Sequence, residues 1–408
     1  MTMKLHLNFV PPLDPDFQSA VLFNRCYIQA LNVSGRSVPL VLGLEREGGL
    51  VSRFETVVRS RVDGETLQYV ERIVKFLLWA RGGWKLHFGG PKEIGQQIAR
   101  IYSARGSRKF DCRMMALAYG KKFQVVLTTP SKVPADKEMQ VAAGGHLKGC
   151  RIGFDLGASD YKVSAVVDGE AVFTEETAWT PTQATNPQYH YHQISAALHR
   201  AAAHLPRVGA IGGSSAGIIV DNEIRKASLL RSIPRRHYPQ AARVFKRIQE
   251  EWNVPVVVMN DGDVTALAGA LSLRQKGMLG IAMGSSEAAG FMDSQGRILG
   301  WLNELAFAPV DYNPNAATDE WSRDKGVGAL YLSQQAVNRL LPAAKIKLPA
   351  KMGLPERLKE VQDLMAKGDR ARRRFTRRLA SISDTQSRIT RLFTITSTCS
   401  PSVASRPA

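Results

Sequence analysis

The 408-residue chain reads as an α/β protein, a two-lobed body built around parallel strand ends with an α+β segment ahead of it. Three observations predict this class. Four strand-like apolar runs, each marked by glycine and a polar turn, follow one another between residues 150 and 292. One of them leads into a small-residue helix, the setting in which open α/β sheets present polar groups at the carboxyl ends of their strands. Residues 1–148 instead show hairpin and helix periodicities side by side.

The elements follow in chain order. Residues 38–44 and 50–58 flank the turn Glu45-Arg46-Glu47-Gly48-Gly49 as a hairpin, and 65–80 carries Leu67, Val70, Val74, Leu77 and Leu78 at helical spacing. Residues 123–128 form another strand-like run. This segment, 1–148, is expected to be a domain with its own core that takes in Trp79, Trp84, Phe88 and Tyr102. Next, 152–165 reads as a hairpin whose tip, Gly157-Ala158-Ser159, leaves amides and a hydroxyl free for phosphate, with Asp155 placed for a metal ion. Residues 208–221 run as a buried strand into a Gly-Ser-Ser-Ala-Gly loop closed by Gly217. The β-branched run in 254–271 ends at Asn260-Asp261, with a helix expected over 264–271. Taken singly, Asn260-Asp261-Gly262 fits either a capped turn or a site. Residues 279–290 read as strand, small-residue turn and second strand, and 355–367 as a helix. A core of 149–370 is thus followed by a basic, Ser/Thr-rich stretch, 371–408, expected to be disordered.

Charge and composition narrow the classes. The formal charge is +19, but ten basic residues against two acidic ones lie in 367–408, so a basic tail accounts for much of it and a nucleic-acid partner is disfavoured. The early prolines Pro11, Pro12 and Pro15 followed by strand signals do not read as a helix-turn-helix. No run approaches the roughly 18 apolar residues of a membrane helix, and no signal peptide is evident. Cys26, Cys112, Cys150 and Cys399 lack paired spacing, as expected of reduced cytoplasmic thiols.

The ordered set of four motifs resembles the ROK family of sugar kinases and repressors, within the actin-like, hexokinase-like (RNase H-like) ATPase superfamily, over roughly residues 151–369. The resemblance implies an actin-like two-lobed fold and transfer of phosphate from ATP, with Mg²⁺, to a hydroxyl of a small-molecule sugar. It implies that Asp155 holds Mg²⁺ through water, and that Gly157 and Ser159 meet the first phosphate site. Gly284, Ser285 and Gly290 match the second phosphate motif. Asn260, Gly217 and Glu304 fall on the sugar side, and Asp261 is the base. A sugar hydroxyl is a poor nucleophile, so a carboxylate within about 3 Å must take its proton as the phosphoryl group moves. A homodimer is left open.

The chain also departs from that family. Glu304 is followed by Leu305-Ala306-Phe307 where Gly and His are usual, and Val327 and Ala329 stand where a zinc Cys and a second sugar-binding Glu belong. With no Cys between Cys150 and Cys399, no structural zinc is expected. Ala158, Ser159 and Asp160 replace the usual Gly, Thr and Lys of the first motif, and Ser286, Glu287, Ala288 and Ala289 replace the glycines of the second. Glu287 is expected either to turn from the phosphates or to share the metal. The adenosine-binding continuation of such proteins is not found after Arg372, so truncation or a frame change is expected there. The second outcome the resemblance admits is a non-catalytic sugar- or nucleotide-sensing regulator or binding protein.

Overall fold

The computed structural model describes residues 10–139, 141–142 and 148–366. The amino-terminal part runs α1 (Ala20–Ser34), β1 (Val38–Glu45), β2 (Val51–Val58), α2 (Gly64–Ala80), β3 (Lys85–Gly89), α3 (Lys92–Ile101), α4 (Lys109–Tyr119), β4 (Gln124–Thr128) and β5 (Val141–Ala142). Its sheet has the order β2-β1-β3-β4. The expected hairpin is β1–β2, and Gly48 and Gly49 take φ of 67° and 70° in its turn, a conformation that costs glycine least. Asp63 caps α2 by accepting the Thr66 amide at 2.8 Å, and Val70, Val74, Leu77 and Trp79 line the buried face of that helix.

The first lobe runs β6 (Cys150–Leu156), β7 (Asp160–Val167), β8 (Glu170–Ala178), α5 (Gln188–Ala202), β9 (Ala210–Ser215), β10 (Ile218–Val220), β11 (Glu223–Lys226), α6 (Tyr238–Ala242), α7 (Val244–Trp252) and β12 (Val256–Asn260). Its sheet order is β12-β9-β6-β7-β8. Strands β6, β8, β9 and β12 run in one direction, and β7 alone runs against them. This is the order and direction of an RNase H-like lobe. Alternation puts Ile152, Phe154 and Leu156 on the buried face, where Leu198 of α5 and Phe245 and Ile248 of α7 close the core.

The second lobe begins with α8 (Asp261–Leu273) and continues through β13 (Met278–Met283), β14 (Glu287–Met292), β15 (Arg297–Ile298), α9 (Gln334–Leu340) and α10 (Leu354–Ala366). Its sheet order is β13-β14-β15-β5, so the amino-terminal part contributes the last strand. The chain therefore carries the two-lobed actin-like α/β fold, its second lobe built here on antiparallel strands. Helix α8 lies close on β13 and β14. A side chain at Gly290 would collide with the Gly262 carbonyl, and one at Gly280 would meet the Ala266 amide at 2.7 Å.

Two expectations change. The amino-terminal core is not its own: it runs on into Ile218, Ala289, Leu305, Ala308 and Tyr312. Beneath it, Asp324 receives Arg72 at 2.8 Å, Lys75 at 3.3 Å and Arg108 at 2.7 Å, a buried cluster that fastens α2 and the entry to α4 to the loop before α9. The helix expected over 264–271 begins at Asp261, because the Asn260 side chain caps it. Trp79, Phe88 and Tyr102 are buried and Trp84 half-buried, as expected of core aromatics. No helix among the described residues is long and apolar enough to cross a membrane. The stretch 371–408, with Cys399, lies outside the described residues.

Candidate active site at the strand ends

The carboxyl ends of β6, β9 and β12 meet in register: Asp155 pairs with Ser214, and Leu156, Ser215 and Asn260 form one row. Two strand spacings separate the β6 and β12 ends, about 10 Å. Asn260 is tied down at both ends of its amide, donating to the Gly217 carbonyl at 2.9 Å and accepting the Gly262 amide at 2.7 Å. Gly217 holds a φ of 111°, and a side chain there would collide with the Lys226 carbonyl, so glycine keeps that carbonyl in place.

Asp261 follows in the first turn of α8, half-buried, with the Gly262 amide 3.0 Å from Oδ1. Burial raises its carboxyl above the ordinary value, and the charge of Asp155 adds to the rise. The two aspartates therefore share one electrostatic neighbourhood rather than opposite surfaces.

Three further carboxyls extend it. Asp263 is pushed up to about 7 by burial, against a 2.7 Å hydrogen bond donated by Asn303. Glu304 is pushed up to about 7 by burial and then by Asp261 and Asp263. Glu287, almost fully buried, is pushed up to about 8 by burial and then by Glu304. Asn303 and Glu304 are placed by the amino-terminal part: their amides donate to the Ala80 and Trp79 carbonyls at the end of α2, at 2.9 Å each. Asp263 and Asn303 escaped the sequence reading. The Asp-Gly-Asp spacing in a helix's first turn was the available signal for Asp263; nothing local marks Asn303 as its partner.

The two phosphate turns differ from expectation. The Gly157 amide donates to the Asp160 carbonyl at 2.9 Å and the Ser159 hydroxyl to the Asp160 carboxylate at 2.7 Å, so both expected donors are engaged within the turn. Ser159 and Lys162 hold the half-buried Asp160 carboxyl below its ordinary value, which keeps a negative charge there. In the second turn Gly284 and Ser285 are exposed, and their carbonyls accept from Gln334 at 2.9 Å and the Gln335 side chain at 3.2 Å. Gly290 sits in β14 beneath Gly262 and Asp263, where its smallness lets helix and strand approach. Glu287 points inward, its Oε2 where a side chain on Gly328 would fall, away from the exposed turn. Among the described residues, no hydrogen bond or ion pair joins the two turns.

The positions that depart from the zinc motif are packed. Phe307 packs tilted against Trp79 with centroids 4.4 Å apart, Leu305 and Ala306 are buried, and Val327 and Ala329 lie in the core. Among the described residues, no group of three or more His, Cys, Asp or Glu is placed to hold a metal ion. An exposed Asp155 at a strand end still fits Mg²⁺ held through water, since that ion keeps most of its hydration.

No family model and no curated protein matches the chain. Solved structures do. A ROK hexokinase from Thermus thermophilus aligns at a TM-score of 0.46 and 17% identity, over 60% of this chain and 78% of that one. A ROK family glucokinase from Streptomyces griseus, in complex with glucose and AMPPNP, aligns at 0.42 and 20%, over 60% and 80%. A ROK family transcriptional regulator, a homologue of the E. coli MLC protein, aligns at 0.42 and 18%, over 63% and 62%.

Proposed function

We propose that this chain is a ROK-type carbohydrate kinase that phosphorylates a sugar hydroxyl, with Asp261 as the base. The observation that supports it best is the position of Asp261: on a parallel strand's carboxyl end, at the start of α8, with Asp155 in electrostatic reach. A carboxylate whose proton affinity is raised by burial is a stronger acceptor for a hydroxyl proton than an exposed one. Asn260, fixed by Gly217 and Gly262, would orient the acceptor, and Glu304 would bind a second hydroxyl. Asp155 would hold Mg²⁺, which supplies charge neutralisation of the phosphates when bound. The exposed second turn would meet a phosphate through Ser285, the Gly284 amide being held by the Ser286 carbonyl at 3.0 Å; the first turn fits one only if Ser159 leaves Asp160. The division at 148/149 and 370/371, a cytoplasmic setting and a homodimer belong to the same proposal.

A coupled ADP-release assay across hexoses and amino sugars tests it. Mg²⁺-dependent turnover that falls at least about 100-fold in Asp261→Asn, with KM little changed, is expected. Turnover that survives the substitution sinks the role.

One observation favours a second reading, a non-catalytic sensor or binding protein: Asp160 closes the first phosphate turn on itself, and two family site positions, Val327 and Ala329, are core. That reading requires saturable sugar binding without ADP release.

A further inference from the structure

The basic tail accounts for much of the positive charge, yet the folded first lobe carries a second concentration of it. Residues 231–247 contain five Arg and one Lys and no Asp or Glu. They span the turn after β11, helix α6 and the start of α7. Ile233, Ala241, Ala242, Val244, Phe245 and Ile248 anchor this stretch in the first-lobe core, which leaves Arg231, Arg235, Arg236, Arg243 and Arg247 exposed on a fixed scaffold. Among the described residues, Arg231, Arg235, Arg236 and Arg247 make no ion pair; Arg243 meets Glu250 at 3.8 Å and Lys246 meets Glu223 at 3.0 Å. Arg247 lies over the Tyr191 ring of α5 at 3.3 Å, beside a cavity of about 230 Å³ that Arg243 also lines.

We propose that this face of the first lobe docks the sugar-phosphate backbone of a nucleic acid. Guanidinium groups suit phosphate because their planar fork donates two parallel hydrogen bonds, and arginine outnumbers lysine here five to one. The surface lacks what other partners need. None of the large exposed apolar side chains among the described residues falls between 187 and 250, so the face offers no wedge for a bilayer and no apolar centre for a protein interface. Two carboxylates close the patch at the end of α7, Glu250 lining the same cavity and Glu251 accepting the Tyr191 hydroxyl at 2.5 Å.

The test is fluorescence anisotropy of the full chain with a labelled DNA duplex of about two helical turns. With four phosphates met by Arg231, Arg235, Arg236 and Arg247, the affinity should fall about 150-fold between about 50 and about 200 mM salt, a logarithmic slope of about −3.6. Replacing both Arg235→Gln and Arg236→Gln should halve the slope to about −1.8, leaving about a 12-fold loss over the same range. Both side chains are exposed, so the fold, checked by circular dichroism, should be unchanged. An RNA duplex run in parallel shows which nucleic acid the face prefers, either preference supporting the assignment. No binding at the lower salt overturns it. So does an unchanged slope in the double variant, which would place the contact in the tail, and so does equal affinity for phosphatidylserine vesicles or polyglutamate.

Discussion

Glu287→Gln should stabilise this protein, and increasingly so as pH rises. Unfolded, the glutamate ionises near its ordinary 4.5; folded, it keeps its proton to about 8, because burial and then Glu304 disfavour the charge. Between those values the native state binds the extra proton, so stability is full below pH 4.5 and falls as pH climbs towards 8. Each pH unit in that window costs about 1.4 kcal/mol. At pH 7 the wild type therefore gives up about 3 kcal/mol at this one side chain, while glutamine of nearly the same shape gives up nothing. Urea unfolding of both proteins at pH 5, 6, 7 and 8 reads the difference directly. The two curves should differ by under about 1 kcal/mol at pH 5 and by about 3 kcal/mol at pH 7. Parallel curves over the whole range would mean that Glu287 is not held in the interior as a neutral acid, and the inward orientation drawn from Gly328 would fail with it.

Asp160→Ala should release Ser159 and remove a negative charge from the first turn, tightening Mg²⁺-ATP binding by calorimetry about tenfold, or about 1.4 kcal/mol; unchanged affinity would show that this turn does not meet phosphate. Gly290→Ala should destabilise the fold by about 1–3 kcal/mol, because the new methyl group collides with the Gly262 carbonyl at the α8–β14 contact. Loss of nucleotide binding with unchanged stability would restore the phosphate role for Gly290. Asn303→Ala removes the donor to Asp263 and should shift the alkaline or acid limb of any activity profile upward, since that hydrogen bond favours the Asp263 carboxylate; an unmoved profile would separate Asp263 from the chemistry.

The parts legible in sequence are those whose cause is local. The hairpin expected over 152–165 is β6–β7, with the Gly157-Ala158-Ser159 turn between its strands, and 38–58 is the hairpin β1–β2. Helix α8 starts three residues ahead of the expected 264, because the Asn260 side chain caps it and draws Asp261-Gly262-Asp263 into its first turn. Glu287 was readable in hindsight: it shares strand parity with Ala289 and Phe291, both buried. Contacts across long stretches of chain were not readable. Asn303 reaches Asp263 over 40 residues and Arg72 reaches Asp324 over 252, and neither side chain announces its partner. The replacement of the zinc segment by apolar residues is visible in sequence, but its physical meaning, the packing of Phe307 against Trp79, needs the fold.

Helix α2 ends where Asn303 and Glu304 begin, its last free carbonyls gripping their amides. The amino-terminal part is thus a bracket for the reaction centre rather than an appendage beside it. Any change that loosens that helix end, even one far from Asp261, would be felt as a displaced acceptor pocket, and excising the part would unseat two of the groups that surround the proposed base.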